Sequence, residues 1–466
     1  MKKDQINKID DLMKLALHNK AQGDFSSAIN LLEKILTLDP KNKKALNNRG
    51  NIYKDMRKFT DAIKSYSYAI NVDSNYQIAK INLAILHHDL GNFNEAEMLY
   101  KELINQDKFN FSICFNLSRI NFEYFDDDKI SFIEKSLESE NLSNYTIASG
   151  YFILAKNQEL KKNFDKEIEF LKKGHEYFCK SINSKDFKQN LDYWLNIIPS
   201  KFNKIKYFEN KKNKENINEI NPIFIIGMPR SGSTLIESII SSGKLKIPNG
   251  GETAVINWGL FKTAKDTLFN YESNLSEINI DLNEFYKTII NKYKNLNLLD
   301  QNKKYFFTDK SLENFYYIDI ILKIFPNAKF IHCKRNYLDT IFAIYQNFLT
   351  KMSWTHSLKD IAIYYDNYLK VIKYFSKIHQ DKIFSLNLEE LTDDSVRVTK
   401  EIFKFCNLEW SEDSLEFHKR KDLFTTTASN IQIRRKIHKY DKEKYKIYKK
   451  FIREFQNKFN WLKGLE

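Results

Sequence analysis

Residues Pro222 to Gly243 read PIFIIGMPRSGSTLIESIISSG, and the rest of the chain is read outward from them. Ile223 to Gly227 are apolar or small without alternation, which suits a strand buried on both faces. Met-Pro-Arg-Ser-Gly-Ser-Thr follows, with Gly227 and Gly232 bracketing a tight turn and Ser231, Ser233 and Thr234 supplying hydroxyls. Beyond the turn, Leu235, Ile236, Ile239 and Ile240 recur at helical spacing. Strand, small-residue loop and helix together present backbone N–H groups at a helix N-terminus, where a phosphate binds well. The bland alternative is an ordinary βα turn. The density of Gly, Ser, Thr and Arg in so few residues argues against it.

Gly227 and Gly232 have the spacing of the triphosphate-binding G-x-x-x-x-G-K-[ST] loop, but Ser233 stands where that loop needs its lysine. A nucleoside triphosphatase or P-loop kinase would lack its main γ-phosphate contact. Pro229 to Leu235 instead resembles the 5′-phosphosulfate loop of sulfotransferases, which reads Pro-Arg-Ser-Gly-[ST]-Thr-Leu. The resemblance implies an α/β sulfotransferase domain, P-loop-like, with a mostly parallel sheet flanked by helices. It also implies 3′-phosphoadenosine 5′-phosphosulfate (PAPS) as donor, held at the loop by Arg230, Ser231, Gly232, Ser233 and Thr234, with no metal. Further segments resemble the same family. Gly250-Gly251-Glu252 lies where tyrosylprotein sulfotransferases carry a catalytic Gly-Glu. KYFFT, residues 304–308, reads as a second buried strand, with Asp309-Lys310 at the end where open α/β sheets put ligands. The family has a sulfonate-contacting lysine there, so Lys310 joins Glu252 and Arg230 as an implied catalytic residue. FPNAKFIHCKRNYLDTIFAIYQNF, residues 325–348, resembles the 3′-phosphate segment, with Arg335 at its arginine. A guanidinium suits a phosphate monoester through two parallel hydrogen bonds. Near the C-terminus Ser429, Gln432-Ile433 and Lys444 match the family's spacing, which implies donor contacts from Ser429 and Lys444. A basic amphipathic surface segment is the competing reading there.

The chain also departs from the pattern. Asn336-Tyr337 replaces the usual Asp-Pro, Leu388 replaces a tyrosine before Glu389, and Tyr445 replaces a tryptophan. Ala343 stands where relatives have a serine that donates to the 3′-phosphate. One lost donor to a charged acceptor is worth on the order of 1–3 kcal/mol.

The first part of the chain is periodic. Phe25, Phe59 and Phe93 are 34 apart, as are Ala28, Ala62 and Ala96, and Gly23 and Gly91 share a register that holds Arg57 between them. A 34-residue period with small residues at helix crossings is the tetratricopeptide signature. The pattern frays after Phe111 and returns, displaced by three residues, at Phe164-Asp165, so about five helix pairs are expected. Asp126-Asp127-Asp128 reads as a solvated loop in place of a metal site. The stretch Lys201 to Asn221 is rich in Lys, Asn and Glu. The expected organisation is a helical repeat domain over 1–200, a linker over 201–221 and the sulfotransferase domain over 222–466.

Composition narrows the rest. The net charge is +14, without the tight Lys/Arg block of a nucleic-acid tail, so no nucleic-acid partner is expected. A basic surface still attracts an anionic donor. The four cysteines are scattered without a C-x-x-C pair, so neither a zinc site nor a disulfide framework is indicated, and buried thiols in a reducing cytoplasm are expected. No apolar run approaches membrane-spanning length, and MKKDQINKIDDL lacks the apolar core of a signal peptide. Nearly the whole chain is thus similar to a bacterial family of repeat-bearing sulfotransferases related to tyrosylprotein sulfotransferases. That resemblance implies sulfuryl transfer to a hydroxyl of a protein, a carbohydrate or a small phenol, with the repeats holding a protein partner or the acceptor. The alternatives are a repeat scaffold whose nucleotide-binding domain has lost activity, and a P-loop kinase.

Overall fold

Helices Phe25–Leu38, Phe59–Val72 and Phe93–Gln106 begin on the three phenylalanines of the 34-residue period. Ala28, Ala62 and Ala96 are fully enclosed, because only a methyl group fits where these helices cross their partners. Two residues before each phenylalanine the backbone turns left-handed, at Gly23 (φ 81°), Arg57 (φ 61°) and Gly91 (φ 82°). Arg57 adopts at roughly 1–2 kcal/mol a conformation its glycine counterparts take freely. The same turn recurs at Lys162 (φ 58°), two residues before helix Phe164–Ser181. The displaced repeat midpoint read from sequence is therefore real. The computed structural model describes residues 2–138, 141–208, 219–268, 277–299, 305–420, 422–441, 443–455 and 457–462.

The chain divides into two compact units, Met1–Lys108 with Thr288–Lys303, and Phe109–Lys287 with Lys304–Glu466. In the first, Asn295 and Asn297 donate to the carbonyls of Gly23 and Met56 (2.9 and 2.6 Å). The second unit holds the later helices Phe111–Ile120, Asp127–Ser136, Asn144–Leu160 and Phe164–Ser181 together with the main sheet. This division falls at Lys108, inside the stretch read as one helical domain over 1–200. The reason is an aromatic seam within the second unit. Phe348 stacks on Phe152 (4.4 Å between centroids) and meets Phe115 and Phe178 edge-on (5.6 and 5.0 Å). Asp126 of the acidic triplet caps helix Asp127–Ser136 by accepting from the Lys129 N–H (2.9 Å).

The strands are β1 (Ile205–Phe208), β2 (Ile220–Gly227), β3 (Ile278–Asp281), β4 (Tyr305–Asp309), β5 (Lys329–Lys334) and β6 (Ile383–Asn387). The main sheet runs β4-β2-β5-β6, with every neighbouring pair parallel. β1 and β3 form a separate parallel pair. The stretch read as a linker over 201–221 holds strand residues at both ends. Ile205–Phe208 pairs with Ile278–Asp281, and β2 already begins at Ile220; residues 209–218 lie outside the described residues. On one face of β2, Ile223 and Ile225 pack with Ile236, Ile239 and Ile240 of helix Ser233–Ser241 and with Ile331 and Cys333 of β5. On the other face Phe224 stacks on Phe330 (5.4 Å between centroids). The unalternating run of β2 has its cause here, since both faces are covered. β2, β4 and β5 end at Gly227, Asp309 and Lys334, on one edge of the sheet. No described helix is long and apolar enough to cross a membrane.

Candidate active site

The loop after β2 is held by geometry that few residues tolerate. Gly227 has φ 143°, and a Cβ there would lie 2.5 Å from the Cys333 carbonyl oxygen of neighbouring β5. Gly232 has φ 90°, with a virtual Cβ 2.6 Å from a Leu388 methyl carbon. Arg230 is itself left-handed, at φ 68°. Ser231, Ser233 and Thr234 are buried. Ser231 Oγ donates to the Met228 carbonyl within the loop (2.7 Å), and Thr234 Oγ1 lies 3.2 Å from Thr427 Oγ1. Helix Ser233–Ser241 starts immediately, so the loop presents a helix N-terminus.

Arg230 and Arg335 meet at this loop. Arg335 Nη1 donates to the Arg230 carbonyl (3.0 Å), and Arg335 Nε donates to Tyr440 OH (3.3 Å). The Arg335 guanidinium sits over the Tyr440 and Tyr445 rings (5.1 and 5.3 Å to the centroids). Arg230 Nη1 donates to Ser429 Oγ (2.5 Å), and Nη2 donates to Gln432 Oε1 (3.4 Å). Arg230, Arg335, Ser429 and Lys444 all line one cavity of about 240 Å³, with Tyr440, Tyr445 and the basic side chains of Arg435, Lys436 and Lys439. Lys444 sits at the rim, 3.7 Å from Glu159 Oε1. Burial, with Arg335 and Arg119 nearby, pulls the Arg230 guanidinium down to about 10, which leaves it a cation at neutral pH. Its Nε–H is buried without an acceptor, and Arg230 forms no ion pair among the described residues. Convergent guanidiniums, an unused donor and a cavity of this size fit the phosphates of a nucleotide donor.

A second group lies at the end of β4. Lys310 is fully buried and its ammonium donates to Glu252 Oε1 (2.9 Å). Burial works against the charge on Lys310, but Glu252 and Glu237 outweigh it and raise its proton affinity above the ordinary lysine value. The Gly250-Gly251-Glu252 loop is stitched in place. Gly250 N–H donates to Thr308 Oγ1 (3.0 Å), and Gly251 N–H donates to Glu237 Oε1 (2.8 Å). Lys310 N–H donates to the Gly251 carbonyl (2.9 Å). Thr253 Oγ1 donates to Asp309 Oδ2 (2.6 Å), and Asp309 also accepts from the Ser311 N–H (2.8 Å). No hydrogen bond or ion pair joins the Glu252–Lys310 pair to the Arg230–Arg335 group among the described residues.

Other residues were not visible in the sequence. Glu237 is wholly buried in the helix after the loop, and only the fold shows that it anchors Gly251 and Thr308. Glu313, three positions past Lys310, is pushed up to about 7 by burial, with Asp309 and Glu252 adding to the effect. Asp339, 3.8 Å from Arg335, is pushed up to about 6 by burial against the pull of Arg335. Ala343 is 2% exposed and does not line the cavity, so the absent serine hydroxyl leaves no gap in that wall. Among the described residues no cluster of three or more His, Cys, Asp or Glu is placed to hold a metal ion.

Parts of the chain match known families. Residues 222–412 match the model of the sulfotransferase family, and residues 43–76 and 79–105 match tetratricopeptide-repeat models. The chain carries a sulfotransferase-family domain. Tetratricopeptide repeats precede it. An uncharacterized protein of Aquifex aeolicus (strain VF5) is 30% identical over 338 residues, 70% of this chain and 43% of that protein. The chain thus spans less than half the length of that relative. Among solved structures, the sulfotransferase domain of the Synechococcus PCC 7002 olefin synthase is 18% identical, covering 51% of this chain and 90% of that one, at a TM-score of 0.35. A sulfotransferase of Mycobacterium tuberculosis H37Rv is 12% identical, covering 63% and 92%, at 0.30. The MamA protein is 22% identical, covering 36% and 91%, at 0.30. The matched sulfotransferase segment contains the loop of Arg230, Glu252, Lys310 and Arg335; Ser429 and Lys444 lie beyond it.

Proposed function

We propose that this chain is a sulfotransferase that uses PAPS as donor and a hydroxyl as acceptor. The observation that carries the reading is the convergence of Arg230 and Arg335 on one cavity beside a glycine-turned loop, with Arg230 lacking an ion pair and its Nε–H lacking an acceptor among the described residues. The donor supplies an activated sulfuryl group whose leaving group is a 5′-phosphate. Arg230 and the N–H groups of Ser231, Gly232, Ser233 and Thr234 hold that 5′-phosphate, where charge builds as the bond to sulfur breaks. Arg335, Ser429 and Lys444 hold the 3′-phosphate. Glu252 takes the proton of the acceptor hydroxyl as general base. Lys310 orients Glu252 through its 2.9 Å contact and offers positive charge to the sulfonyl oxygens. The tetratricopeptide region binds a protein partner or a polymeric acceptor, a protein or a carbohydrate, on its concave face. Cys179, Cys333 and Cys406 are free thiols, which supports a cytoplasmic, reducing setting.

The test is transfer. The full chain is incubated with sulfur-labelled donor and a panel of tyrosine peptides, oligosaccharides and small phenols. Labelled product from one class names the acceptor. Tight donor binding with no product from any class favours the inactive-scaffold reading. ATP turnover in place of donor turnover favours a kinase.

A further inference from the structure

We propose that Arg119, on the helix Phe111–Ile120 that precedes the sulfotransferase domain, is a third arginine of the anion site and acts on the 5′ end of the donor. The proposal rests on the functional reading above and adds to it a residue from the helical region, outside the segment that matches the family.

A short strap, Thr425 to Gln432, carries the argument. Arg119 Nη2 donates to the Thr427 carbonyl (3.5 Å). Thr427 Oγ1 lies 3.2 Å from Thr234 Oγ1 of the phosphate loop and accepts from the Ser429 N–H (3.4 Å). Ser429 Oγ accepts from Arg230 Nη1. Arg119 therefore holds Thr427, the residue whose hydroxyl meets Thr234 of the phosphate loop. Its charge reaches Arg230, since Arg119 and Arg335 both oppose protonation there. The helix that presents Arg119 is set in the core of this unit. Phe111, Ile113, Cys114 and Leu117 are buried, and Phe115 packs edge-on against Phe152 and Phe348.

Like charges gathered in a low-dielectric site raise its energy. Arg119 and Arg335 crowd Arg230, whose Nε–H is buried without an acceptor. A phosphate-bearing anion is the partner that relieves both the crowding and the unused donor. On this reading the helical region shapes the donor pocket and does more than recruit a partner.

The experiment uses the full chain and two nucleotides, adenosine 3′,5′-bisphosphate and adenosine 3′-monophosphate, titrated by calorimetry. Arg119→Gln removes the charge while keeping a donor for the Thr427 carbonyl, and Arg119→Lys keeps the charge. The expected result is that Arg119→Gln weakens the bisphosphate roughly 10-fold or more and leaves the monophosphate as in wild type. Arg119→Lys recovers part of the loss. Equal weakening of both nucleotides overturns the proposal, because it marks a role in holding the strap. Unchanged binding of both overturns it too, with the functional reading intact. A wild-type chain that binds neither nucleotide overturns the proposal and the functional reading together.

Discussion

In the proposed reaction, Glu252 is the general base. Its carboxylate accepts from the buried Lys310 ammonium, yet its side chain keeps 32% of its surface, so an acceptor hydroxyl has an approach. Glu252→Gln preserves shape and removes the base, and proton transfer typically contributes about 10²- to 10⁴-fold. Steady-state turnover is expected to fall by that order with donor affinity nearly unchanged. Turnover at the wild-type rate would reduce Glu252 to a loop residue. Much at this scale was legible in the sequence. Arg230 lies 199 and 202 residues from Ser429 and Gln432, but short spaced motifs flagged each, and the fold brings them within hydrogen-bond distance. Glu237, Glu313 and Arg119 carry no local pattern. A lone Glu on an apolar helix or a lone Arg at a helix end gains meaning only from what packs against it. Ala343, a departure that the resemblance marks as costly, is buried and does not line the cavity.

At the scale of elements, the Gly250-Gly251 turn sets where Glu252 stands. A Cβ on Gly250 would lie 1.8 Å from the Thr308 carbonyl oxygen, which is backbone of β4 and has nowhere to go. Gly250→Ala is expected to destabilise by about 1–3 kcal/mol or more, as overpacking does, and to abolish turnover because the loop must lift off the strand. A thermal melt and a turnover assay check it. Wild-type values in both would mean that the loop packs differently. Thr308→Val tests the same seam from the other side. It removes the acceptor of the Gly250 N–H and the donor to Glu237 (2.8 Å), and each buried group left unsatisfied costs about 1–3 kcal/mol. A melting temperature equal to wild type would contradict it. The short apolar strands were readable because burial on both faces leaves a run without alternation. Tyr305–Asp309 falls within a residue of the strand read at 304–308. Beyond β4, a 3₁₀ turn, Leu312–Tyr317, precedes helix Ile318–Ile324. Its side chains Leu312, Asn314, Phe315, Tyr316 and Tyr317 are all buried, and a purely helical period does not serve that many neighbours at once. After β6, helices Leu388–Asp393 and Ser395–Phe405 follow one another, with Asp394 capping the second by accepting from the Arg397 N–H. Ile205–Phe208 was passed over because four residues, mostly exposed, give no burial pattern to read.

At the scale of the whole molecule, the repeat period was legible only as far as it stayed regular. Helices from Phe111 onward belong to the same unit as the α/β sheet and pack on Phe348, and their sequence answers to that neighbour as well as to the repeat. One consequence is a pH dependence. Glu167 on helix Phe164–Ser181 accepts from Tyr448 OH and Gln346 Nε2 (2.7 Å each). Burial pushes its carboxyl from an ordinary 4.5 to about 7, so the folded chain holds a proton that the unfolded chain releases. Its contribution to stability is whole below about pH 4.5 and is lost as pH rises through about 7. Glu313 acts in the same direction. The melting temperature of the ligand-free chain is expected to fall between pH 5 and pH 8, and Glu167→Gln is expected to flatten part of that fall. An identical slope in the variant would exclude this carboxyl as the source. The central claim, that the cationic cavity takes a 3′,5′-bisphosphorylated adenosine, is tested most directly by titrating the full chain with adenosine 3′,5′-bisphosphate and with ATP. The account predicts binding of the bisphosphate, weakened roughly 10- to 100-fold by Arg335→Ala as a charged hydrogen bond is lost. Binding of ATP without the bisphosphate, or an Arg335→Ala variant that binds as wild type does, would contradict it.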